Sequence, residues 1–164
     1  MKTAFQATFS GYGGQPCTLF SAYDQERRIL VIAKEAKFRD DRHENCVVIT
    51  NDPAIPRDSL FVDDDMKPAI AAFYALQNGV SSDNRTARLT YADSVQRANP
   101  EGAIERDGID TTGPRYRISD NVTCLQVAAL ATCLYAFRAD SVEQTVVMAE
   151  RLSAIMMGGG ILTI

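Results

Sequence analysis

Tryptophan is missing from this chain of 164 residues, and histidine occurs once, at His43. A single histidine excludes any His-rich metal set and leaves one imidazole for base catalysis. Paired cysteines are missing too. Cys17, Cys46, Cys124 and Cys133 are scattered, with no C-x-x-C spacing. The nearest group of ligand types is His43 with Cys46 in "HENC", two ligands where structural zinc takes four. Scattered cysteines without a secretion signal read as buried free thiols that act as small hydrophobes.

Long apolar runs are absent. Nothing approaches the ~18–20 residues that cross a bilayer. The stretch "MKTAFQATFSGYGG" alternates apolar and polar residues and lacks the apolar core of a signal peptide. The expectation is a cytoplasmic protein with no membrane span. Nucleotide and hydrolase signatures are also missing. The glycine-rich "SGYGGQP" has strand-like sequence on both sides and no following G-K-[ST], so it reads as a hairpin turn, not a phosphate cradle. There is no G-x-S-x-G elbow, internal repeat, heptad run or low-complexity tract. No cofactor or metal is expected. A basic excess is lacking as well: the net charge is −4 and the pI about 5.0, which makes a nucleic-acid partner unlikely.

What the chain does have is an ordinary globular composition, 46% hydrophobic and 23% charged. Its length fits a single domain over residues 1–164, large enough for a core of its own. The first third reads as strands. Phe5, Ala7 and Phe9 alternate with Gln6, Thr8 and Ser10, the pattern of a half-buried strand. "CTLFSAY" follows. The continuously apolar residues 29–33 predict a strand covered on both faces, and "NCVVIT" a fourth. Leu89 and Tyr91 alternate with Arg88 and Thr90 in a later strand. "RYRI" is another, with Tyr116 and Ile118 inward and Arg115 and Arg117 outward.

Three helices are predicted, at about 66–78, 120–138 and 141–157. Met66, Ala69, Ile70, Phe73 and Leu76 recur at helical spacing, Pro68 suits a first turn, and Gly79 suits the stop. The second helix, capped by Ser119 or Asp120, is apolar nearly all round and should be central. The fold class is therefore α+β: an antiparallel sheet, built from an N-terminal meander plus later strands, packed by helices. Between Ala98 and Pro114 lies a polar tract rich in Gly and Pro. It reads as a long irregular loop, with a possible small hairpin turning at Asp107–Gly108.

Acid is concentrated in residues 51–65, which hold Arg57 against Asp52, Asp58, Asp63, Asp64 and Asp65. The net charge of this stretch, −4, equals that of the whole chain. Asp64 or Asp65 at an N-cap would satisfy free helix N–H groups, and its neighbours would favour the helix dipole. One aspartate suffices for that, so a contact to a basic partner stays open beside capping, and a divalent metal stays open behind both.

The leading expectation is a non-catalytic, intracellular protein-binding chain of the inhibitor, adaptor or immunity-protein kind. It would dock another protein through its acidic loop, Asp52 to Asp65, with residues 98–114 as a recognition arm. Such a chain is compatible with an accessory gene of a phage or mobile element. The alternative is a small enzyme or ligand-binding domain with a pocket between sheet and helices. That pocket would use His43 and Cys46, or an anion-binding cluster of Arg88, Arg115 and Arg117. A homodimer is also expected, from the apolar "ILTI", from Val147 and Met148, and from the apolar central helix.

Overall fold

The computed structural model describes residues 2–37, 46–79 and 89–140. The fold is α+β. Strands β1 (Lys2–Phe9), β2 (Cys17–Asp24) and β3 (Ile29–Lys37) form the antiparallel meander. β4 (Cys46–Thr50) then pairs with the far side of β1 in parallel, and β5 (Ser59–Leu60) pairs with β4, also in parallel. β6 (Thr90–Tyr91) runs parallel to the start of β3. The six-stranded sheet thus has the order β5-β4-β1-β2-β3-β6. Its long pairings are antiparallel. Its outer strands are parallel and only two residues each.

β1 is central, and both of its faces are closed. Gln6 and Thr8 are as buried as Phe5, Ala7 and Phe9, so the half-buried reading of this strand was wrong. Thr8 hydrogen-bonds across to Thr18 at 3.1 Å. β3 departs in the opposite sense. Leu30 is buried, but Ala33, Lys34, Glu35 and Lys37 are exposed.

Helix α1 (Met66–Gln77) buries Met66, Ala69, Ile70, Ala72, Phe73 and Leu76. Gly79 ends it at a left-handed φ of 68°, the conformation glycine adopts without cost. A short helix, α2 (Asp93–Arg97), follows β6 and lies on β3. Helix α3 runs through residues 124–140. From Val127 to Leu134 every side chain is buried, so α3 is the central helix and offers no free surface for a dimer over that stretch.

Its start is capped by Thr123, not by Ser119 or Asp120. The Gln126 N–H donates to Thr123 Oγ1 at 3.2 Å, and the Thr123 N–H donates to Gln126 Oε1 at 3.0 Å, a complete capping box. The glycine-rich turn between β1 and β2 docks on this start. The Gly13 N–H donates to the Val122 carbonyl and the Cys124 N–H to the Gly13 carbonyl, both at 2.9 Å. A Cβ at Gly13 would stand 3.2 Å from the Val122 oxygen, so a side chain would disturb the close approach. Asp140, the last described residue of α3, pairs with Arg28 in the β2–β3 turn.

Residues 98–114 are not an irregular loop. They form a turn of 3-10 helix (Pro100–Ala103), then strand β7 (Ile104–Asp110) and a turn into β8 (Gly113–Ile118). The hairpin reverses at Thr111–Thr112, not at Asp107–Gly108. Gly108, at φ 82°, sits instead where the β7–β8 register shifts. Among the described residues, no helix is long and apolar enough to cross a membrane. The predicted helix 141–157, with Val147 and Met148, and the "ILTI" segment lie outside the described residues.

Candidate functional site

The aspartates of residues 51–65 divide into two groups. Three carboxylates are occupied by backbone. Asp52 accepts the Ala54 N–H at 2.9 Å. Asp58 accepts the Val48 N–H at 2.7 Å while its own N–H donates to the Val48 carbonyl at 3.0 Å. This exchange ties the unusually short connection between the parallel strands β4 and β5, where a dozen or more residues are usual. Asp65 accepts the Val62 N–H at 2.9 Å. Asp65 does stand at the N-cap of α1, as expected, but its carboxylate makes no cap hydrogen bond to that helix; it acts instead from the third position of the 3-10 turn (Asp63–Asp65) that Val62 precedes. Val62 stands at the cap and has no side-chain acceptor. Asp63 and Asp64 remain exposed. Among the described residues, their carboxylates make no hydrogen bond or ion pair.

Asp63 opens a ridge along α1. Asp63, Lys67, Ala71, Tyr74 and Asn78 recur at three- to four-residue spacing and line one wall of a groove. The other wall is the β7–β8 hairpin, with Asp107, Asp110, Thr112 and the run Pro114–Ile118. The volume enclosed is about 760 Å³, within the range of ligand-sized clefts. Arg115 and Arg117 line it, but they are not free anion grips. Arg117 pairs with Glu105 across the hairpin at 2.8 Å, and Arg115 approaches Asp107 at 3.9 Å. These exposed cross-strand pairs steady the hairpin only modestly. Arg88 lies outside the described residues, so the predicted three-arginine cluster is reduced to this pair.

Tyr116 corrects the inward assignment: it is 40% exposed. Only the base of the hairpin, at Ile104 and Ile118, packs against the core among the described residues, so a strand alternation that would bury one face in a larger sheet leaves Tyr116 in the groove. The Tyr116 ring meets Tyr74 with centroids 4.9 Å apart. Tyr74 leans on Phe73 at 5.3 Å, and Phe73 stacks on Tyr91 at 5.5 Å. An aromatic ladder thus runs from the sheet edge through α1 to the hairpin. Burial, then the neighbouring Tyr116 and Glu101, raise the Tyr74 hydroxyl above the usual tyrosine range, so it remains a neutral donor. Asp110 is held below the usual carboxylate range by hydrogen bonds from the Thr112 hydroxyl and N–H, and it stays anionic.

Sequence reasoning found Asp63, Arg115 and Arg117, but it missed Lys67, Tyr74 and the meeting of α1 with the hairpin. The outer ridge 63–67–71–74–78 was a readable signal. Its opposite wall was not, because the contact joins segments some forty residues apart.

Cys46 is half buried on β4, and Cys17, Cys124 and Cys133 are buried. His43 lies outside the described residues. Burial pushes the thiols of Cys17 and Cys133 up to about 12, with Cys124 and then Glu35 adding to the effect at Cys17. Thiols held protonated are poor nucleophiles. Native protein treated with iodoacetamide near pH 8 should therefore take up no more than one adduct quickly, at Cys46, and four in denaturant. Intact-mass spectrometry reads this, and fast labelling at Cys17 or Cys133 would contradict the buried placement. No group of three or more metal-ligand side chains occurs among the described residues. Comparison with protein-family models, with curated proteins and with solved structures returned no match.

Proposed function

We propose that this chain is a non-catalytic protein-binding module that receives a basic segment of its partner in the groove between α1 and the β7–β8 hairpin. One observation carries the reading. The hairpin stands apart from the main sheet, and apart from Gly113 every residue from Arg106 to Arg117 is exposed. Two-stranded hairpins are marginal by themselves, so a projecting one with Ile109 70% exposed is poorly explained by stability alone. Tyr116 and Tyr74 supply the rigid aromatic contact typical of binding hot spots. With Arg115 and Arg117 already paired, Asp63 and Asp64 outnumber the exposed Lys67 at the α1 end of the groove, and this net acidic charge would steer a cationic segment. Asp52, Asp58 and Asp65 serve the fold in this reading.

The test is capture from lysate at low and high salt, then titration of the purified partner against variants. Tyr116→Ala should weaken binding by about tenfold or more. The double variant Asp63→Asn with Asp64→Asn should slow association and flatten its salt dependence. A partner held equally by both variants would place docking elsewhere. The groove's volume of about 760 Å³ favours a second reading, a small-ligand site. In that case a metabolite thermal-shift screen gives a hit that Tyr116→Ala removes, and no protein is retained.

A further inference from the structure

We infer that the cleft where the second half of β3 faces α2 and the start of α3 binds a small molecule with an anionic headgroup and an apolar body. A bulge builds this cleft. Ile32 and Glu35 are three residues apart, yet their Cα partners on β2, Ser21 and Leu19, share a face, because Ala33 has no partner there. In an unbroken strand, alternation would send Glu35 and Lys37 to the face opposite Ile32. The bulge turns both onto the face of Leu19 and Cys17, the side on which Tyr23 meets Asp140 of α3. Bulges re-aim side chains in this way beside functional sites. Charges turned inward at a sheet margin also discourage edge pairing, but that role needs no hollow beside them.

Two adjoining hollows lie there. The first, of about 290 Å³, has Leu19, Ile32 and Leu125 as apolar lining and receives Ser94 and Arg97 from one side of α2. The second, of about 370 Å³, runs on to Lys37 and the glycine-rich turn at Gly13. Glu35 and Leu125 line both, so the two form one trough of ligand size. Charge selects the occupant. Lys34 and Arg97 line the first hollow and Lys37 the second. All three are exposed, and none of them makes an ion pair among the described residues. Glu35 is the one acid in either lining, so the trough is cationic in a chain whose net charge is −4. Ser94 Oγ accepts the Ile32 N–H at 3.0 Å, which leaves its hydroxyl proton to donate. Guanidinium, ammonium and hydroxyl donors beside aliphatic side chains suit a carboxylate or phosphate on a hydrocarbon body. The trough shares no lining residue with the groove between α1 and the hairpin, so this site is independent of the docking surface.

Amide NMR titration with hexanoate, hexyl phosphate, hexanol and inorganic phosphate tests the proposal. At least one of the two anionic hexyl probes should saturably shift residues 32–35, 94–97 and Leu125, and the tighter of them names the headgroup. Hexanol and inorganic phosphate should bind about tenfold more weakly or worse, since each lacks one half of the ligand. Arg97→Gln should weaken the preferred probe by about tenfold, through loss of a charged donor. Glu35→Gln should tighten it by about threefold, through loss of the one repelling charge. Arg57→Gln, at a cation outside both sites, should change nothing. All three side chains are exposed, and the amide spectrum of each variant checks that it is folded. No saturable shift with either anionic probe, shifts confined to α1 and the hairpin, equal binding of hexanol or of inorganic phosphate, or an affinity indifferent to Arg97 and Glu35 would each overturn the site.

Discussion

Replacing Asp140 with asparagine should lower the unfolding free energy by about 3–5 kcal/mol, because it strands a buried guanidinium. Asp140 is fully buried and Arg28 is 4% exposed. The pair is bidentate: Arg28 Nε donates to one Asp140 carboxylate oxygen at 3.1 Å, and a terminal nitrogen donates to the other at 2.5 Å. The Tyr23 hydroxyl donates to the same carboxylate. Arg28 also holds a left-handed φ of 53°, unfavourable for a residue with a side chain, so the pair maintains a turn the backbone would not choose. Burial depresses the basicity of Arg28, but Asp140 and Tyr23 more than offset it. Adding Arg28→Met to the Asp140 variant should recover part of the loss, since no unpaired charge then remains.

The same cluster has a pH signature. Burial first, then the hydrogen bond and charge of Asp140, raise the Tyr23 hydroxyl above its usual range. The folded state therefore holds this proton more tightly than the unfolded state. Its contribution is complete below about pH 10 and is lost as pH rises beyond it. Urea midpoints of wild type and Tyr23→Phe should differ most near neutral pH and converge on the alkaline side. A difference unchanged at alkaline pH would remove Tyr23 from the cluster's energetics.

Phe73→Ala should cost about 3–5 kcal/mol, the usual loss for a fully buried aromatic. Phe73 is fully buried and joins Tyr91 to Tyr74 in the aromatic ladder. Tyr116→Ala, at the exposed end of that ladder, should change stability by only about 1 kcal/mol. Chemical denaturation of the two variants separates a residue kept for packing from one available to a partner. A Tyr116 loss as large as that of Phe73 would make the hairpin part of the core and weaken the docking proposal.

Much of the architecture was legible in local pattern. Helix α1 announced itself through apolar spacing, Pro68 in the first turn and Gly79 at the stop. All three act within a few residues, so no distant contact was needed to read them. The all-apolar run of α3 likewise required burial on every side. The strands β1 to β4 were readable as strands, but not their places in the sheet. The alternation of β1 suggested one wet face and the apolar run of β3 two dry ones. The structure reversed both: β1, inside the sheet, is buried on its two faces, whereas the second half of β3 is largely exposed.

The candidate site shows the same division. The acidic composition of residues 51–65 was plain, but which carboxylates were spare was not. Asp58 is consumed by Val48 and Asp65 by Val62, contacts that depend on where the chain turns back. By itself the sequence determined the α+β class, helices α1 and α3 and the excess of acid, but not the short helix α2, since periodicity, capping chemistry and charge are properties of neighbouring residues. Only the tertiary structure decided the central place of β1, the exposure of Glu35 and Lys37, that of Tyr116, and the groove between α1 and the hairpin. Each of these depends on which distant segments share a surface, and apolar burial drives such contacts without direction, leaving strand order and packing to select among them.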